Sequence, residues 1–495
     1  MRGMASSMAA VAERVARRQM NRETFGALFT LLVFASFLLL GVSGAEARQA
    51  RGIAGVDGAP SAGDPYFPRL GNSGYDVRHY DIKLRIDPER HFAKGTTSID
   101  LVPTAALRSF SLDLIGLSVS GVTVDGVPAR FRHSDRKLRV EPREPLAQGS
   151  AAVVRVAYKG RPGTSQPGTG WIWFRGGGAL FSPQPNGAGT LFPCNDHPSD
   201  KATFDFDLTT PRGATAVANG IPERLPTPNA RWKRVAWSET EPFPAYAAVV
   251  TVSRFELVRQ TGPDGLPIIN AFPSGKAKAL TKRFARQGEI VSVLENYFGP
   301  YPYSSGGAIV TAKSGPDAME AASRPIYPGV DHVLHGRDFE QLVAHEISHQ
   351  WFGDTVSLKS WRDIWLNEGF ATYGELLWIS HKRDVPIETL FRRDSDVFGY
   401  YPDMKIPPGD PGANRLFNVT VYNRGALTLE ALRRTVGDEA FYEILRTYVA
   451  NYRGANATTG DFVRLSESIS DRELDDFFQR WLYEEGLPPL PPAND

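Results

Sequence analysis

Residues 337–383 read RDFEQLVAHEISHQWFGDTVSLKSWRDIWLNEGFATYGELLWISHKR, and this stretch decides how the second half of the chain folds. Apolar residues recur at i, i+3, i+4 and i+7, the spacing of amphipathic helices, over 337–352 and again over 361–382. His345 and His349 are four apart, so they project from one helix face a turn apart, where two imidazoles can hold one zinc ion. Glu346 lies beside them, placed to take a proton from an attacking water. Eighteen residues separate His349 from Glu368 on the second helix, as an antiparallel return would require, and Glu368 is read as the third ligand. Two histidines and one carboxylate leave a coordination position open, which suits a catalytic zinc site better than a structural one. One zinc ion per chain is expected.

Helical spacing continues beyond this stretch, in RGALTLEALRRTVG, DEAFYEILRTYVANY and RELDDFFQRWLYEEG, and a short strand-rich passage (PIINAFP, GGAIVTAK) precedes it. From residue 67 to about 255 the pattern differs. Stretches such as YDVRHYDIKLRID, TTSIDLVP, KLRVEP and AAVVRVAYKG alternate apolar with polar residues, and Gly, Pro and Asp punctuate them. The expected fold is α+β and multidomain: an all-β domain over 67–255, with two large sheets, then a mainly helical domain over 256–488 and a tail over 489–495.

Residues 48–66 are rich in Gly, Ala, Pro and Asp and read as a linker. Before them, five arginines (Arg2, Arg14, Arg17, Arg18, Arg22) lead into the apolar run Phe25–Val42, followed by Ala45-Glu46-Ala47. A basic region, an apolar core and an A-x-A site make a signal peptide over 1–47; the run is also close to the length of a membrane span, so an uncleaved signal-anchor is the alternative. The body is expected outside the cytoplasm, secreted or held at the membrane through residues 25–42. A formal net charge of +1 gives no reason to expect a nucleic-acid partner. The single cysteine, Cys194, cannot form an internal disulfide and is read as a packed residue. Asn418-Val-Thr and Asn456-Ala-Thr match the glycosylation triplet.

HEISHQWFGDTV (345–356) followed by WRDIWLNEGFATY (361–373) closely resembles the membrane alanyl aminopeptidase family, the gluzincin metalloaminopeptidases. LFPCNDHPSDKATFDF (191–206), AMEAASRPIYP (318–328), VYNRGALTLEAL (421–432) and DDFFQRWLYEEGLP (475–488) are similar to further segments of that family, in its order. The resemblance implies a saddle-like β domain followed by a thermolysin-like catalytic domain. It implies that Tyr422 donates a hydrogen bond to the reaction's oxyanion, and that Glu320 binds the free α-amine of a peptide substrate. Asp317 and Ala321 depart from the family's G-x-M-E-N at its first and last positions. Gln184 stands where many relatives carry a second amine-binding glutamate; it keeps an acceptor oxygen but no charge. Asp363 and Glu375, near Glu368, are candidates to support a zinc-bound histidine.

Three functions are weighed. The first is a zinc aminopeptidase acting on peptides with a free N-terminus. The second is a zinc hydrolase of the same fold acting as an endopeptidase or on a non-peptide substrate, motivated by Gln184 and by residues 317–321. The third is a non-catalytic binding module, which would be expected to have lost ligands or the general base.

Overall fold

A computed structural model describes residues 55–492, apart from 176, 313–316, 337–338 and 393–403. The signal peptide or anchor expected over 1–47 lies outside the described residues. Among the described residues no helix is long and apolar enough to cross a membrane.

The first half is built on an eight-stranded sheet. Its order is Ile221–Arg224, Trp232–Pro244, Lys201–Pro211, Tyr75–Asp87, Phe92–Pro103, Ala152–Gly160, Leu117–Val124 and Val127–Pro128. Neighbours are antiparallel except Lys201–Pro211 beside Tyr75–Asp87. Alternation explains which residues go in: Ala202, Phe204, Phe206 and Leu208 are buried. Tyr75–Asp87 buries Tyr75 and Val77, then Tyr80, Ile82, Leu84 and Ile86. The switch from odd to even falls at a register shift between Val77 and His79, where an extra residue turns the strand over. A five-stranded sheet containing Ala179–Ser182 and a four-stranded sheet containing Leu107–Asp113 complete this half. There are thus three sheets where two were expected.

The stretch read as a linker is partly incorporated into the body. Val56–Asp57 pairs in parallel with the strand Leu107–Asp113, and Asp57 binds Arg108 and Arg139. Asp64 is buried. Its carboxylate accepts from the amides of Tyr66, Phe67 and Trp361, from the Ser360 hydroxyl and from the His197 ring. Gly/Pro/Asp composition predicts a flexible connector, but Asp64 finds two of its partners, Ser360 and Trp361, almost 300 residues away, which composition cannot register.

The strand Phe255–Thr261 opens a second four-stranded sheet with Pro267–Pro273, Gly306–Val310 and Ile326–Tyr327. Against it stand the main helices: α1 (Gln287–Phe298), α2 (Phe339–Ser348), α3 (Trp365–Arg383), α4 (Val419–Val436), α5 (Asp438–Tyr452) and α6 (Thr459–Ser470). Helix α3 is buried on nearly every side, with Trp365, Phe370, Tyr373, Leu377 and Trp378 inside. It is therefore the central element of this half.

One helical expectation fails. Residues 472–486 form only a short turn, Asp475–Phe478, continued by a wide π-helical turn, Gln479–Tyr483. The buried Arg424 guanidinium donates to the carbonyls of Arg480, Trp481 and Glu484, and to that of Met404. Carbonyls taken by a guanidinium do not need a further helical turn to satisfy them.

Candidate active site

Helix α2 carries His345, and the residue that follows its end, His349, still bonds back to the His345 carbonyl and faces the same way, as the spacing requires. The His345 and His349 Nε2 atoms face each other at 3.1 Å. Glu368, in the first turn of α3, brings Oε2 to 3.5 Å from the first and 3.3 Å from the second. Each ring is fixed from behind. His345 Nδ1 donates to Glu375 Oε2 at 3.2 Å, and Gln341 Nε2 donates to the other Glu375 oxygen at 2.8 Å. His349 Nδ1 donates to the Phe352 carbonyl at 3.0 Å. Donation from Nδ1 leaves both Nε2 lone pairs directed at the same point.

Two ring nitrogens and a carboxylate oxygen converging in a buried site call for a cation. The electrostatics agree. Burial opposes charge on His345, yet Glu368 and Glu375 hold it well above its ordinary value. Burial also opposes ionisation of Glu368, yet His349 and His345 pull its carboxyl down to about 2. The set favours positive charge at its centre, and a divalent metal ion with nitrogen and oxygen ligands fits it.

Glu346 lines the same cavity. Its Oε2 is buried and has no hydrogen-bond partner among the described residues. Burial pushes its carboxyl up to about 8, against the pull of His345 and His349. A divalent cation on the adjoining ligand set would pull it back toward the ionised form that accepts a proton. Tyr422, in the first turn of α4, stacks near the His345 ring with centroids 5.8 Å apart. Burial, then the charges of Glu368, Glu320 and Glu346, push its hydroxyl well above 10, so it stays a proton donor.

Glu320 is buried, and burial raises its carboxyl while His349 lowers it. Gln184 Nε2 donates to Glu320 Oε1. Gln184 therefore does not merely replace a missing charge; it orients the carboxylate beside it. One cavity of about 600 Å³ is lined by Gln184, Glu320, His345, Glu346, His349, Glu368, Glu375 and Tyr422.

Asp363 is the sequence candidate that the structure places elsewhere. Its carboxylate accepts from the Thr459 hydroxyl at 2.7 Å and from the Thr459 amide at 3.3 Å, at the start of α6. Trp365 Nε1 donates to the same hydroxyl. Asp363 thus ties the entry of α3 to α6 and does not touch a histidine. Of the two glycosylation triplets, Asn418 caps α4 by accepting from the Thr420 amide, and Asn456 donates to the carbonyls of Pro198 and Leu358.

Two features of the site escaped sequence reading. Helices α3 and α4 cross at Gly369 and Gly425. A Cβ on Gly369 would lie 2.8 Å from Gly425 Cα, and one on Gly425 would lie 2.7 Å from Gly369 Cα. Gly369 follows Glu368 directly and Gly425 lies three residues after Tyr422, so this backbone contact sets how near the two functional side chains come. A glycine directly after Glu368 and another nearly one helical turn after Tyr422 are the available signal. Arg424 is the other, anchoring α4 to the C-terminal segment by three carbonyls and to Met404 by a fourth.

Comparison with known proteins gives a consistent match. Residues 77–247 match the peptidase M1 N-terminal domain and residues 284–481 the peptidase family M1 domain. An M1 zinc metallopeptidase from Deinococcus radiodurans superposes with a TM-score of 0.79 at 31% identity, over 88% of this chain and 99% of that one. A mutant of the Deinococcus enzyme, 30% identical with a TM-score of 0.79, was solved bound to a Tyr-Ser-Ala substrate. Glutamyl aminopeptidase of Rattus norvegicus is 27% identical over 62% of this chain and 34% of its own length. Aminopeptidase M1 of Arabidopsis thaliana is 26% identical over 86% of this chain and 52% of its own. The chain thus spans about a third to a half of the length of these two curated relatives.

Proposed function

This chain belongs to peptidase family M1, and from that premise we propose that it is a zinc aminopeptidase, releasing N-terminal residues from peptides. The observation that carries the reading is the meeting, in one cavity, of a three-ligand set, the unpartnered carboxylate oxygen of Glu346 and the Gln184–Glu320 pair. His345, His349 and Glu368 hold one zinc ion. Zinc supplies Lewis-acid polarisation of the scissile carbonyl and of water.

The remaining steps belong to the chain's own side chains. Glu346 takes a proton from the attacking water and returns it to the leaving amine nitrogen. The Tyr422 hydroxyl donates to the oxygen of the carbonyl under attack as negative charge develops there. Glu320 accepts hydrogen bonds from the substrate α-ammonium, and Gln184 keeps its carboxylate turned that way. An anchor for the amine in the same cavity as the ligand set favours attack near the N-terminus, which is what makes an exopeptidase.

The Arg-rich start, the apolar run 25–42 and Ala45-Glu46-Ala47 support export, with the body secreted or held at a membrane. Fractionation combined with N-terminal sequencing tests this: a mature chain starting near Arg48 means secretion, an intact one in the membrane fraction means anchoring, and an intact cytosolic one refutes export. The enzymatic reading is tested by turnover of aminoacyl fluorogenic substrates, with zinc measured on the same sample. Activity that follows zinc and disappears in Glu346→Gln supports it. Zinc-loaded protein that turns over none of the substrate panel refutes it.

A further inference from the structure

The segment carrying Glu320 continues with the buried Ala321, whose methyl group makes no hydrogen bond. The loop is nevertheless held tightly. Met319 and Ile326 exchange backbone hydrogen bonds at 3.0 and 2.8 Å. Asn219 Nδ2 donates to the Ala322 carbonyl at 2.6 Å. Ser323 adopts φ of 58°, the left-handed region that a residue with a side chain occupies only when its surroundings impose it.

The Ser323 hydroxyl accepts from the Gly220 amide at 2.8 Å, and a further tie to this turn comes from the residues just after the metal helix. Gln350 directly follows His349 and is fully buried. Its Oε1 accepts from the Ser323 amide at 2.6 Å. Its Nε2 donates to the Glu320 carbonyl at 3.3 Å, to Asp354 Oδ2 at 3.0 Å and to the Glu346 carbonyl at 3.4 Å. One planar amide therefore bonds the backbone of Glu320 itself and that of a residue three further on, while its own backbone continues from a metal ligand.

We infer that Gln350 is the positioning residue that sets the distance between the amine anchor and the ligand set, and so fixes which peptide bond is presented. The inference rests on the reading of Glu320 as the amine anchor. A glutamine suits the task because it needs both an acceptor, for the Ser323 amide, and a donor, for the Glu320 carbonyl. A side chain that merely filled the core would need neither. Loosening this link lets Glu320 drift relative to His345 and His349 without removing any ligand, so the damage falls on recognition of the amine before it falls on zinc.

The test uses the full chain and two variants. Gln350→Met keeps length and bulk but makes no hydrogen bond; Gln350→Glu keeps the acceptor for Ser323 and loses the donor. For each, kcat and KM are measured on a free-amine peptide and its N-acetylated form, together with zinc content and thermal midpoint. In Gln350→Met we expect zinc to stay at one per chain, KM for the free-amine peptide to rise about tenfold or more with a smaller change in kcat, and the preference over the acetylated form to narrow. Gln350→Glu, which turns a carboxyl oxygen toward Asp354 Oδ2 and the Glu320 carbonyl in place of the donor, should lose at least as much. A Gln350→Met enzyme with wild-type KM and preference, altered only in its midpoint, overturns the inference. Should that variant not fold, a Gln350→Glu enzyme with unchanged KM and preference overturns it equally. A wild-type enzyme that cleaves both peptides alike overturns the amine-anchor reading instead.

Discussion

Gly425→Ala should slow the enzyme without touching any side chain of the site. The added Cβ would lie 2.7 Å from Gly369 Cα, where ordinary contact begins near 3.4 Å. Both atoms belong to helical backbone, so neither can swing away. Helix α4 has to retreat from α3 by about 0.7 Å, the difference of those distances. Overpacking of this kind costs roughly 1–3 kcal/mol, and alanine returns about 1 kcal/mol of helix propensity. The net loss of stability should be at most about 2 kcal/mol. Activity should suffer more. Tyr422 lies three residues before Gly425, on the same helix face, and moves with it. A catalytic group displaced by around 1 Å can lose about 10²-fold in rate, so a fall in kcat of roughly tenfold is expected here. Steady-state kinetics with aminoacyl substrates, chemical denaturation and zinc analysis measure the three quantities separately. Gly460→Ala is the control, because its Cβ meets only side-chain atoms, the tip of Arg464 at 3.3 Å and Thr458 Oγ1 at an ordinary 3.8 Å; it should leave kcat unchanged and add up to about 1 kcal/mol. A Gly425→Ala protein as active and as stable as wild type would refute the reasoning.

Tyr422→Phe should lower kcat by about 10²-fold while leaving zinc content and KM nearly unchanged, because the hydroxyl acts only on charge that develops during the reaction. Glu375→Gln should weaken zinc binding by roughly 10–100-fold, read by competition with a chelator, since it loosens the His345 ring without removing a ligand. Asp64→Asn should lose about 2 kcal/mol at pH 7. Burial opposes the Asp64 charge, but His197 and the amides of Trp361 and Phe67 hold the carboxyl down at about 2, which amounts to about 1.4 kcal/mol per unit below the ordinary value. A depressed carboxyl stabilises the fold above its unfolded pKa and stops doing so as pH falls through the folded one. The gap between wild type and variant in urea denaturation should therefore close between about pH 4 and pH 2. A gap that persists at pH 2 contradicts the assignment.

What was legible in the sequence was what depends on short spacing. A spacing of four positions puts the two histidines on one helix face, and the structure brings both Nε2 atoms and Glu368 together. Alternation located the strand Tyr75–Asp87 to the residue, although the bulge after Val77 left no mark in the pattern. What was not legible depends on partners distant in the chain. Asp64 in a Gly/Pro-rich stretch looks like a linker until Ser360 and Trp361 arrive beside it. Asp363 was placed near a histidine by its closeness to Glu368 in sequence, but in the short helical turn before α3 its carboxylate points to Thr459. Residues 472–486 have helical spacing, yet Arg424 takes the carbonyls that a longer helix would use. The contact of Gly369 with Gly425 likewise joins residues 56 apart.

The most direct test of the central claim is the order in which a peptide is shortened. A tetrapeptide and its N-acetylated twin are incubated with zinc-loaded enzyme, and the products are followed over time by mass spectrometry. Stepwise loss of single residues from the free N-terminus, with the acetylated twin left intact, is the expected result. Cleavage at an internal bond, or equal attack on the acetylated peptide, would contradict the reading of Glu320 and Gln184 as an amine anchor and leave a zinc hydrolase of another specificity.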